Sequence, residues 1–464
     1  MGSAKGSSKG SAKRSAKGSV MTTGGAGKPG GNADLTTDLA RRQAEGRPVR
    51  VGLIGAGEMG TDIVTQISLM PGIEIAVLAE TRTDHAWTAL AIAGLPRETA
   101  EAADSRAAVE DAIRAGRMAI TGDGTLACTA DQVDVIIDAT GNPGVGADLA
   151  MTAMRHGKHV VMMNVEADVT VGASLRRAAE EAGVLYSLGA GDEPSAAMEL
   201  IRFAQSLGYP IIAAGKGKNN PLKFDAKPDE YVEEARRRNM NPRMLVEFVD
   251  GSKTMIEMAA IANATGLLPD KPGMHGPAAT VPELAKTLIP AADGGLLSRT
   301  GVVDYSVGKG VAPGVFVVVK APHPRIHERM RDLKMGDGPY FTFVRPYHLT
   351  SLEVPLTAAS LVLHHQPHMV PLERPVADVG ALAKEDLAPG VTLGKIGEDH
   401  YRGWITTVGA AREGRLLPVG LAERAVVTRA IKAGEYLTYD NCRPDETMEI
   451  VKLRRRQDAM IGSG

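Results

Sequence analysis

The sequence predicts an α/β protein built around a doubly wound parallel sheet. Between residues 49 and 187, short apolar runs alternate with segments whose apolar residues recur at helical spacing. Strands that alternate with helices in this way form a parallel sheet with helices on both faces. The chain has 464 residues, of which 44% are hydrophobic. That length predicts two to four domains at roughly 100–200 residues each.

Five apolar runs are the predicted strands of this sheet. They are Val51–Ile54, Ile73–Leu78, Val133–Ile137, His159–Met163 and Gly183–Ser187. A helix whose apolar face includes Ile63 and Ile67 follows the first strand. We expect polar helices across Leu95–Met118 and a further helix over Ala147–Met154.

The composition divides the chain into four parts. Residues 1–48 are rich in Gly, Ser and Ala and lack hydrophobic periodicity, which predicts a disordered leader. Residues 49–193 hold the predicted parallel sheet, and residues 194–370 change to mixed strands and loops, as in an α+β domain. Residues 371–464 carry short apolar runs with turn-like breaks, which predicts a small β-rich module.

Charge and cysteine content exclude several kinds of protein. There are 53 basic and 55 acidic residues, and five of the basic residues but none of the acidic ones lie in the first 19 positions. The rest of the chain therefore has 48 basic and 55 acidic residues, a net charge of −7. We do not expect such a chain to bind nucleic acid or an anionic membrane, and no apolar run reaches the ~18 residues of a membrane span. Two cysteines cannot supply a disulfide framework or a cysteine zinc cage. We therefore expect a cytoplasmic protein.

A glycine-rich motif follows the first predicted strand. Gly55-Ala-Gly-Glu-Met-Gly60 matches G-x-G-x-x-G and opens a helix, as in the Rossmann dinucleotide-binding fold. Gly55 permits the tight turn, Gly57 lets a pyrophosphate approach the backbone, and Gly60 allows the helix to contact the strand. Glu58 and Met59 begin the helix, whose free N–H groups attract phosphate.

Two charged residues after the second strand bear on the choice between NAD and NADP. Glu80 stands 20 residues after Gly60, where an acid binds the adenosine ribose hydroxyls of NAD. Arg82 could instead hold the 2′-phosphate of NADP. Because an acid repels that phosphate, the residues favour NAD, and NADP stays the alternative.

Small and amide residues follow the third and fourth strands. Ala139, Thr140 and Gly141 come after the third strand, at the sheet edge that borders the nicotinamide in this fold. Asn164 ends the fourth strand and faces the same crevice. An ordinary turn between a strand and a helix is the alternative interpretation.

The densest polar cluster follows a strand expected over Tyr209–Ala214. It contains Lys216, Lys218, Asn219 and Asn220 on a loop with two glycines. Lysines and carboxamides can bind an anionic substrate and polarise a carbonyl, and a lysine with a lowered pKa can transfer protons. The alternative is a solvated basic turn.

A second acidic segment precedes a helix expected over Ser195–Leu207. Asp192 and Glu193 could position a hydroxyl or bind a divalent cation, or they could cap the helix. Asp304 and Lys309 lie in a glycine-rich stretch and could complete the pocket.

Several of these segments together resemble one enzyme family. They are Val51–Gly60, Ile136–Gly141, His159–Thr170, Ser187–Pro194, Gly215–Pro221 and Phe341–Val354. The family is that of the 1-deoxy-D-xylulose 5-phosphate reductoisomerase-like (DRL) enzymes, which are similar to homoserine dehydrogenase in their first two domains. Residues 376–441 resemble the small β-clip module known as the SAF domain. The resemblance covers residues 49–460.

The resemblance implies a homodimer that uses a nicotinamide cofactor. It implies a Rossmann domain, an α+β catalytic and dimerisation domain, and a β-rich SAF-like domain. Its reductoisomerase members convert 1-deoxyxylulose 5-phosphate to 2-methylerythritol 4-phosphate in isoprenoid biosynthesis. Lys216, Lys218 and the two asparagines would then bind phosphate and carbonyl oxygens. Asp192 and Glu193 would orient hydroxyls, with a divalent metal as an option.

One position departs from the family pattern. Such NADPH enzymes are expected to show a neutral and then a basic residue after the second strand, whereas this chain has Glu80 there. The leading expectation is reductoisomerase-type reduction of a small phosphorylated or anionic substrate. The alternative is an NAD-dependent dehydrogenase of a hydroxy acid or polyol, and a third possibility is a redox-sensing module that binds the dinucleotide as a signal.

Overall fold

The computed structural model describes residues 34–462. Its first sheet has seven strands: β1 (Val49–Ile54), β2 (Ile73–Ala79), β3 (Ala100–Ala102), β4 (Met118–Thr121), β5 (Val135–Asp138), β6 (His159–Met162) and β7 (Tyr186–Leu188). All are parallel, in the order β3-β4-β2-β1-β5-β6-β7. The strand order therefore reverses between β1 and β5, where open parallel sheets bind their ligands.

Helices cover both faces of this sheet, as the sequence predicts. They are α1 (Leu35–Ala44), α2 (Glu58–Ser68), α3 (Thr83–Ile92), α4 (Arg106–Arg114), α5 (Gly124–Thr129), α6 (Pro143–Arg155) and α7 (Val165–Ala182). Val51 and Leu53 of β1 pack towards α2 and α3, whereas Ile54 packs towards α5 and α6. This alternation buries both faces of the strand and gives the two-sided core of a Rossmann-like fold.

A second, mixed sheet follows. Its strands are β8 (Ile211–Gly217), β9 (Leu268–Pro269), β10 (Val302–Ser306), β11 (Val315–Lys320) and β12 (Tyr340–Arg345), in the order β12-β11-β8-β10-β9. The helices of this region are α8 (Glu193–Ser206), α9 (Val232–Arg237), α10 (Pro242–Val249), α11 (Ser252–Thr265), α12 (Val281–Thr287), α13 (Pro324–Asp332) and α14 (Val354–His364). Helices α8 and α11 pack on the sheet, while α14 returns to the first sheet and packs against β5 and β6.

The last part of the chain contains short strand pairs and two helices. They are β13 (Ala377–Ala383), β14 (Tyr401–Thr407), β15 (Val426–Val427), β16 (Cys442–Arg443), α15 (Val408–Glu413) and α16 (Glu449–Gly462). The antiparallel pair β13–β14 packs on α11, and α16 packs on α6 and α7. Within residues 34–462, no helix has the length and apolar character needed to cross a membrane.

The structure corrects three expectations about individual elements. Part of the expected disordered leader, Leu35–Ala44, is the helix α1, because Leu39 is buried against the first sheet region; residues 1–33 lie outside the described residues. The segment Leu95–Met118 is not wholly helical, since β3 lies within it and β4 begins at its last residue. The strand β8 extends to Gly217, so Lys216 lies on a strand and not on a loop.

Candidate functional site

The glycine loop between β1 and α2 fits a dinucleotide. Gly55 has a φ of +104°, and a Cβ there would lie 2.6 Å from the carbonyl oxygen of Ala139. A Cβ on Gly60 would lie 2.0 Å from the carbonyl oxygen of Gly55, so both positions need glycine for packing. A Cβ on Gly57 would meet no atom within 4 Å. The space beside Gly57, at the uncapped start of α2, is therefore open to a pyrophosphate.

Buried polar atoms without partners line the adjacent loops. Asp138 Oδ1 accepts a hydrogen bond from the Thr140 N–H at 3.0 Å, while the Thr140 hydroxyl is buried and has no partner. Asn164 Oδ1 caps α7 by accepting from the Ala167 N–H at 3.1 Å, and its buried Nδ2 also has no partner. Burial raises the pKa of Asp138 to about 6. Thr140 lines the cavity described below, so its hydroxyl fits the polar carboxamide of a nicotinamide, whereas Asn164 is buried and does not line that cavity.

Glu80 is held against the glycine loop. Its carboxylate accepts from the Ala56 N–H at 2.8 Å and from the Arg82 N–H at 3.1 Å. Burial alone would raise the pKa of Glu80, but these two N–H groups outweigh it and lower the pKa below its usual value. The Arg82 side chain is exposed and contacts His85 at 3.1 Å. The ionised Glu80 thus contacts the glycine loop directly, whereas the Arg82 side chain contacts His85.

A cavity of about 420 Å³ connects these loops to the second sheet. One wall carries Gly57, Glu58, Met59 and residues 139–143, and the opposite wall comes from α8, α10 and α11. The C-terminal part closes it with Lys395, Ile396, Tyr401, Gly420 and Glu423. Asn142 Nδ2 donates to Glu423 Oε2 at 3.3 Å across this junction. The cavity is therefore built from all three parts of the chain.

A buried ion cluster adjoins the cavity, which is lined by its acidic members but not by Lys216. Lys216 Nζ, on β8, donates to Glu193 Oε1 at 2.7 Å and to Glu257 Oε2. Asp192 precedes Glu193 at the start of α8. Asp192, Glu193 and Glu257 each offer an oxygen within 4.8 Å of the others. Two of these three carboxyl groups, those of Glu193 and Glu257, therefore share the buried ammonium of Lys216.

The cluster divides into permanently charged and titrating groups. Burial would lower the pKa of Lys216, but the charges of Glu193 and Glu257 outweigh it and raise that pKa above its usual range. Burial opposes ionisation of Glu193 also, yet Lys216 lowers its pKa well below the usual range. Burial and the charge of Glu193 raise the pKa of Asp192 strongly and that of Glu257 to about 7. Glu193 and Lys216 hence stay charged, the neutral form of Asp192 is favoured, and Glu257 titrates near neutrality.

Lys253 and Glu257 are site residues that the sequence reasoning missed. They lie four residues apart on one face of helix α11, which carries no other charged residue, and both line the cavity. Lys253 Nζ donates to Glu166 Oε1, on α7, at 2.9 Å. The sequence contained a pattern that could have identified them, because two opposite charges at positions i and i+4 among mostly apolar residues indicate a shared buried site.

His348 also lines the cavity. Its Nδ1 lies 2.6 Å from the carbonyl oxygen of Pro313, so Nδ1 carries the proton. Its Nε2 lies 3.6 Å from Glu193 Oε2. His348 is held near the acidic cluster by the turn that follows it, in which the Thr350 N–H donates to the carbonyl oxygen of Gly191 at 2.8 Å.

Several of the predicted substrate-binding residues do not line this cavity. Lys218 Nζ donates to the carbonyl oxygens of Asn220 (2.8 Å) and Phe248 (2.6 Å), and burial lowers its pKa to about 8. Asn219 is exposed, and Asn220 Oδ1 accepts from Arg238 at 3.1 Å. Lys216 and Lys218 would share a face if the strand continued, but β8 ends at Gly217. Lys218 lies beyond that end and donates to backbone carbonyl oxygens, so only Lys216 joins the acidic cluster.

The other predicted pair is separated from the cavity as well. The buried carboxylate of Asp304 accepts from the backbone N–H groups of His275, Gly276 and Tyr305. It therefore fixes a loop and has no free oxygen for substrate. Lys309 is exposed on the surface.

Comparisons with known proteins agree with this architecture. Residues 55–188 match the homoserine dehydrogenase NAD-binding domain, and residues 191–354 match the catalytic domain of the oxidoreductase DRL. Comparison with curated proteins gives no match.

Among solved structures, the chain is similar to several oxidoreductases. Scyllo-inositol dehydrogenase from Lactobacillus casei, bound to NAD(H) and scyllo-inositol, is 13% identical with a TM-score of 0.39, over 69% of this chain and 90% of that chain. An oxidoreductase from Agrobacterium radiobacter in complex with NAD⁺, L-tartaric acid and magnesium is 13% identical with a TM-score of 0.28, over 38% and 45%. DOX-P reductoisomerase in complex with magnesium is 15% identical with a TM-score of 0.32, over 45% and 56%. The two family matches identify the chain as an NAD(P)-dependent oxidoreductase that joins a homoserine dehydrogenase-type NAD-binding domain to a DRL catalytic domain.

Proposed function

We propose that the protein is an NAD-dependent oxidoreductase of a small polyhydroxylated substrate held in the 420 Å³ cavity. One observation carries the proposal: Glu257 lines this cavity, its Oε1 is buried without a partner, and its pKa lies at about 7. A carboxyl group that titrates near the working pH is suited to take a proton from, or return one to, a substrate oxygen.

The loops of the first sheet fit the cofactor. Gly57 and the start of α2 would hold the pyrophosphate, Glu80 the adenosine ribose, and Thr140 the nicotinamide amide. When bound, the nicotinamide supplies or accepts the hydride. We propose that NAD is preferred over NADP, because the ionised Glu80 would repel a 2′-phosphate.

The cluster residues have distinct roles at the substrate. Glu257 Oε1 receives the proton of the reacting hydroxyl, and Lys216 holds the other oxygen of the same carboxyl group. The protonated Asp192 donates a hydrogen bond to a substrate oxygen, while the ionised Glu193 accepts one from a neighbouring hydroxyl. Lys253, fixed by Glu166, adds positive charge where an alkoxide develops.

The charge of the cavity bears on the class of substrate. Its lining contains seven carboxyl residues and three basic residues, Arg243, Lys253 and Lys395. Such a lining has many acceptors for hydroxyl groups and little surplus positive charge for a phosphate dianion. It favours a polyol or sugar-like substrate over the phosphorylated compound that the family resemblance implies.

The reductoisomerase reaction is the second candidate. It is supported by the DRL catalytic-domain match and by the group Asp192, Glu193 and Glu257, whose oxygens could hold a divalent cation. Hard oxygen donors of this kind suit Mg²⁺, and the unpartnered Glu257 Oε1 offers a free ligand atom. Such a cation would bind neighbouring oxygens of a ketose.

Product analysis separates the two candidates. We would test a panel of polyols and hydroxy acids for NAD reduction, and 1-deoxyxylulose 5-phosphate for NADH or NADPH oxidation, each with Mg²⁺ and with EDTA. The proposal predicts a ketone or aldehyde with an unchanged carbon skeleton by ¹³C NMR. A branched product from the phosphorylated ketose would establish the second candidate, and no turnover on any substrate would contradict both. Sedimentation of the same preparation tests the expected homodimer.

A further inference from the structure

We propose that the C-terminal part carries a second small-molecule site, separate from the cavity above, which binds a phosphate-bearing anion. The site is an open cavity of about 550 Å³ formed by α15, β16 and α16 with the neighbouring turns. It shares no lining residue with the cavity that holds Glu257.

Positive charge is concentrated in this cavity. Five arginines line it: Arg412, Arg415, Arg443, Arg454 and Arg455. Three acids accompany them: Asp378, Glu446 and Asp458. The lining is therefore cationic in a chain whose net charge is −2. A guanidinium group can donate two hydrogen bonds to the oxygens of one phosphate, so an arginine-lined cavity suits a phosphate-bearing anion.

Two of the five arginines are free to bind a ligand. Arg454 is buried and pairs with Asp378 and Asp458, so its role is to fix α16 to β13. Arg412 and Arg443 are exposed, and no ion pair involves either of them among residues 34–462. They can therefore turn to an anion without breaking an existing salt bridge.

Tyr439 gives an independent sign of a missing partner. It lines the cavity, and its hydroxyl is buried without any hydrogen-bond partner. The Arg455 guanidinium lies 4.7 Å from its ring centroid and pairs with Glu446 at 2.8 Å. A buried hydroxyl that lacks a partner costs free energy unless a bound group satisfies it. An anion oxygen beside Arg455 would supply that acceptor.

The dimensions indicate a small ligand. Binding sites for small molecules have volumes of about 300–1,000 Å³, and this cavity lies within that range at about 550 Å³. A nucleotide or sugar phosphate fits this volume, whereas a polymer would need a continuous groove. The expected ligand is therefore a compact metabolite with one or more phosphate groups.

Calorimetric titration with inorganic pyrophosphate tests the site. The full chain is saturated with NAD first, so that the glycine loop is filled, and the titration is run at low salt. We expect wild-type protein to bind, and the double variant Arg412→Ser/Arg443→Ser to bind at least about tenfold more weakly, since two charge-assisted contacts are lost. Arg429→Ser is the matched control, because Arg429 is exposed on the same part of the chain but does not line the cavity.

A second variant and a second ligand make the test specific. Tyr439→Phe removes only the hydroxyl and should weaken binding several-fold while circular dichroism shows an intact fold. Citrate, which has the charge without phosphate, should bind more weakly than pyrophosphate. The proposal is overturned if wild-type protein releases no heat of binding, if the double variant binds as tightly as wild type, or if citrate binds better.

Discussion

The ammonium of Lys216 lies 2.7 Å from Glu193 Oε1 and also donates to Glu257 Oε2, so one buried cation joins α8 to α11 through β8. The two carboxyl groups respond differently, since the pKa of Glu193 falls well below its usual range and that of Glu257 rises to about 7. A pair of acids with separated pKa values is the arrangement by which a site holds one fixed charge and one transferable proton.

Replacing Lys216 should therefore impair turnover, whereas replacing Lys218 should impair stability. Lys216→Met removes the cation from the cluster, and we expect turnover to fall about 30- to 1,000-fold, or roughly 2–4 kcal/mol. Lys218→Met leaves two backbone carbonyl oxygens without their donor, which should lower the free energy of unfolding by about 1–3 kcal/mol. Steady-state kinetics and urea unfolding of both variants check this contrast. Equal kinetic losses in the two would place Lys218 in the site as well.

Two glycines of the dinucleotide loop should respond differently to alanine. Gly57→Ala adds a Cβ where no atom lies within 4 Å, so the fold should stay intact while NAD affinity falls at least about tenfold, because the methyl group fills the pyrophosphate space. Gly60→Ala would lower the melting temperature, since its Cβ would lie 2.0 Å from a carbonyl oxygen. Fluorescence titration with NADH and thermal unfolding measure the two effects. Unchanged NADH affinity in Gly57→Ala would remove this loop from the cofactor site.

Glu80 should determine the preference for NAD. Glu80→Gln keeps an oxygen that can accept from the Ala56 N–H but loses the charge. We expect the ratio of kcat/KM for NAD to kcat/KM for NADP to fall by a factor equivalent to about 1–3 kcal/mol of transition-state free energy. Arg82→Ser is the comparison variant and should change the ratio little. If wild-type protein already prefers NADP, and Arg82→Ser abolishes that preference, the arginine decides the selectivity.

The buried Asp168 should make stability depend on pH. It accepts a hydrogen bond from the Tyr186 hydroxyl at 2.8 Å, and burial raises its pKa to about 7. Between about pH 4 and pH 7, the folded form holds a proton on Asp168 that the unfolded form has released. The free energy of unfolding should therefore fall as the pH rises through this interval, by up to about 1.4 kcal/mol per pH unit. Asp168→Asn should flatten the stability curve over that interval. An identical slope in the two proteins, measured by urea unfolding, would contradict the assignment.

Much of the nucleotide half follows from local sequence. The alternation of apolar runs and helices gives the doubly wound sheet, and the glycine motif has its expected place between β1 and α2. The strands β3 and β4 were missed because no local pattern distinguishes Ala100–Ala102 from a helical turn and because Met118–Thr121 follows closely on the alanine-rich helix α4. Pairing with neighbours that are distant in sequence decides such segments.

The candidate site in the second half of the chain is harder to predict from the sequence, because it is assembled from elements that are distant in sequence. Glu193, Lys216 and Glu257 come from α8, β8 and α11 and meet only after the second sheet forms. Lys216 and Lys218 look equivalent in the sequence, yet β8 ends at Gly217, between them, and their ammonium groups have different partners. The contribution of Glu423 to the cavity depends on the C-terminal part folding back over Asn142, a contact between residues that are 281 positions apart.

The pH dependence of kcat/KM in wild-type protein and in Glu257→Gln tests the central claim most directly. For oxidation of a hydroxyl substrate, Glu257 must be ionised to accept the proton, so the wild-type rate should rise as the pH increases through about 7. In Glu257→Gln, kcat/KM should no longer rise with pH and should be about 100- to 10,000-fold lower than in wild type. The affinity for NADH should be unchanged. The control Glu181→Gln removes an exposed carboxylate from α7 and should behave as wild type. A Glu257→Gln variant that keeps the wild-type rate and pH profile would contradict the account.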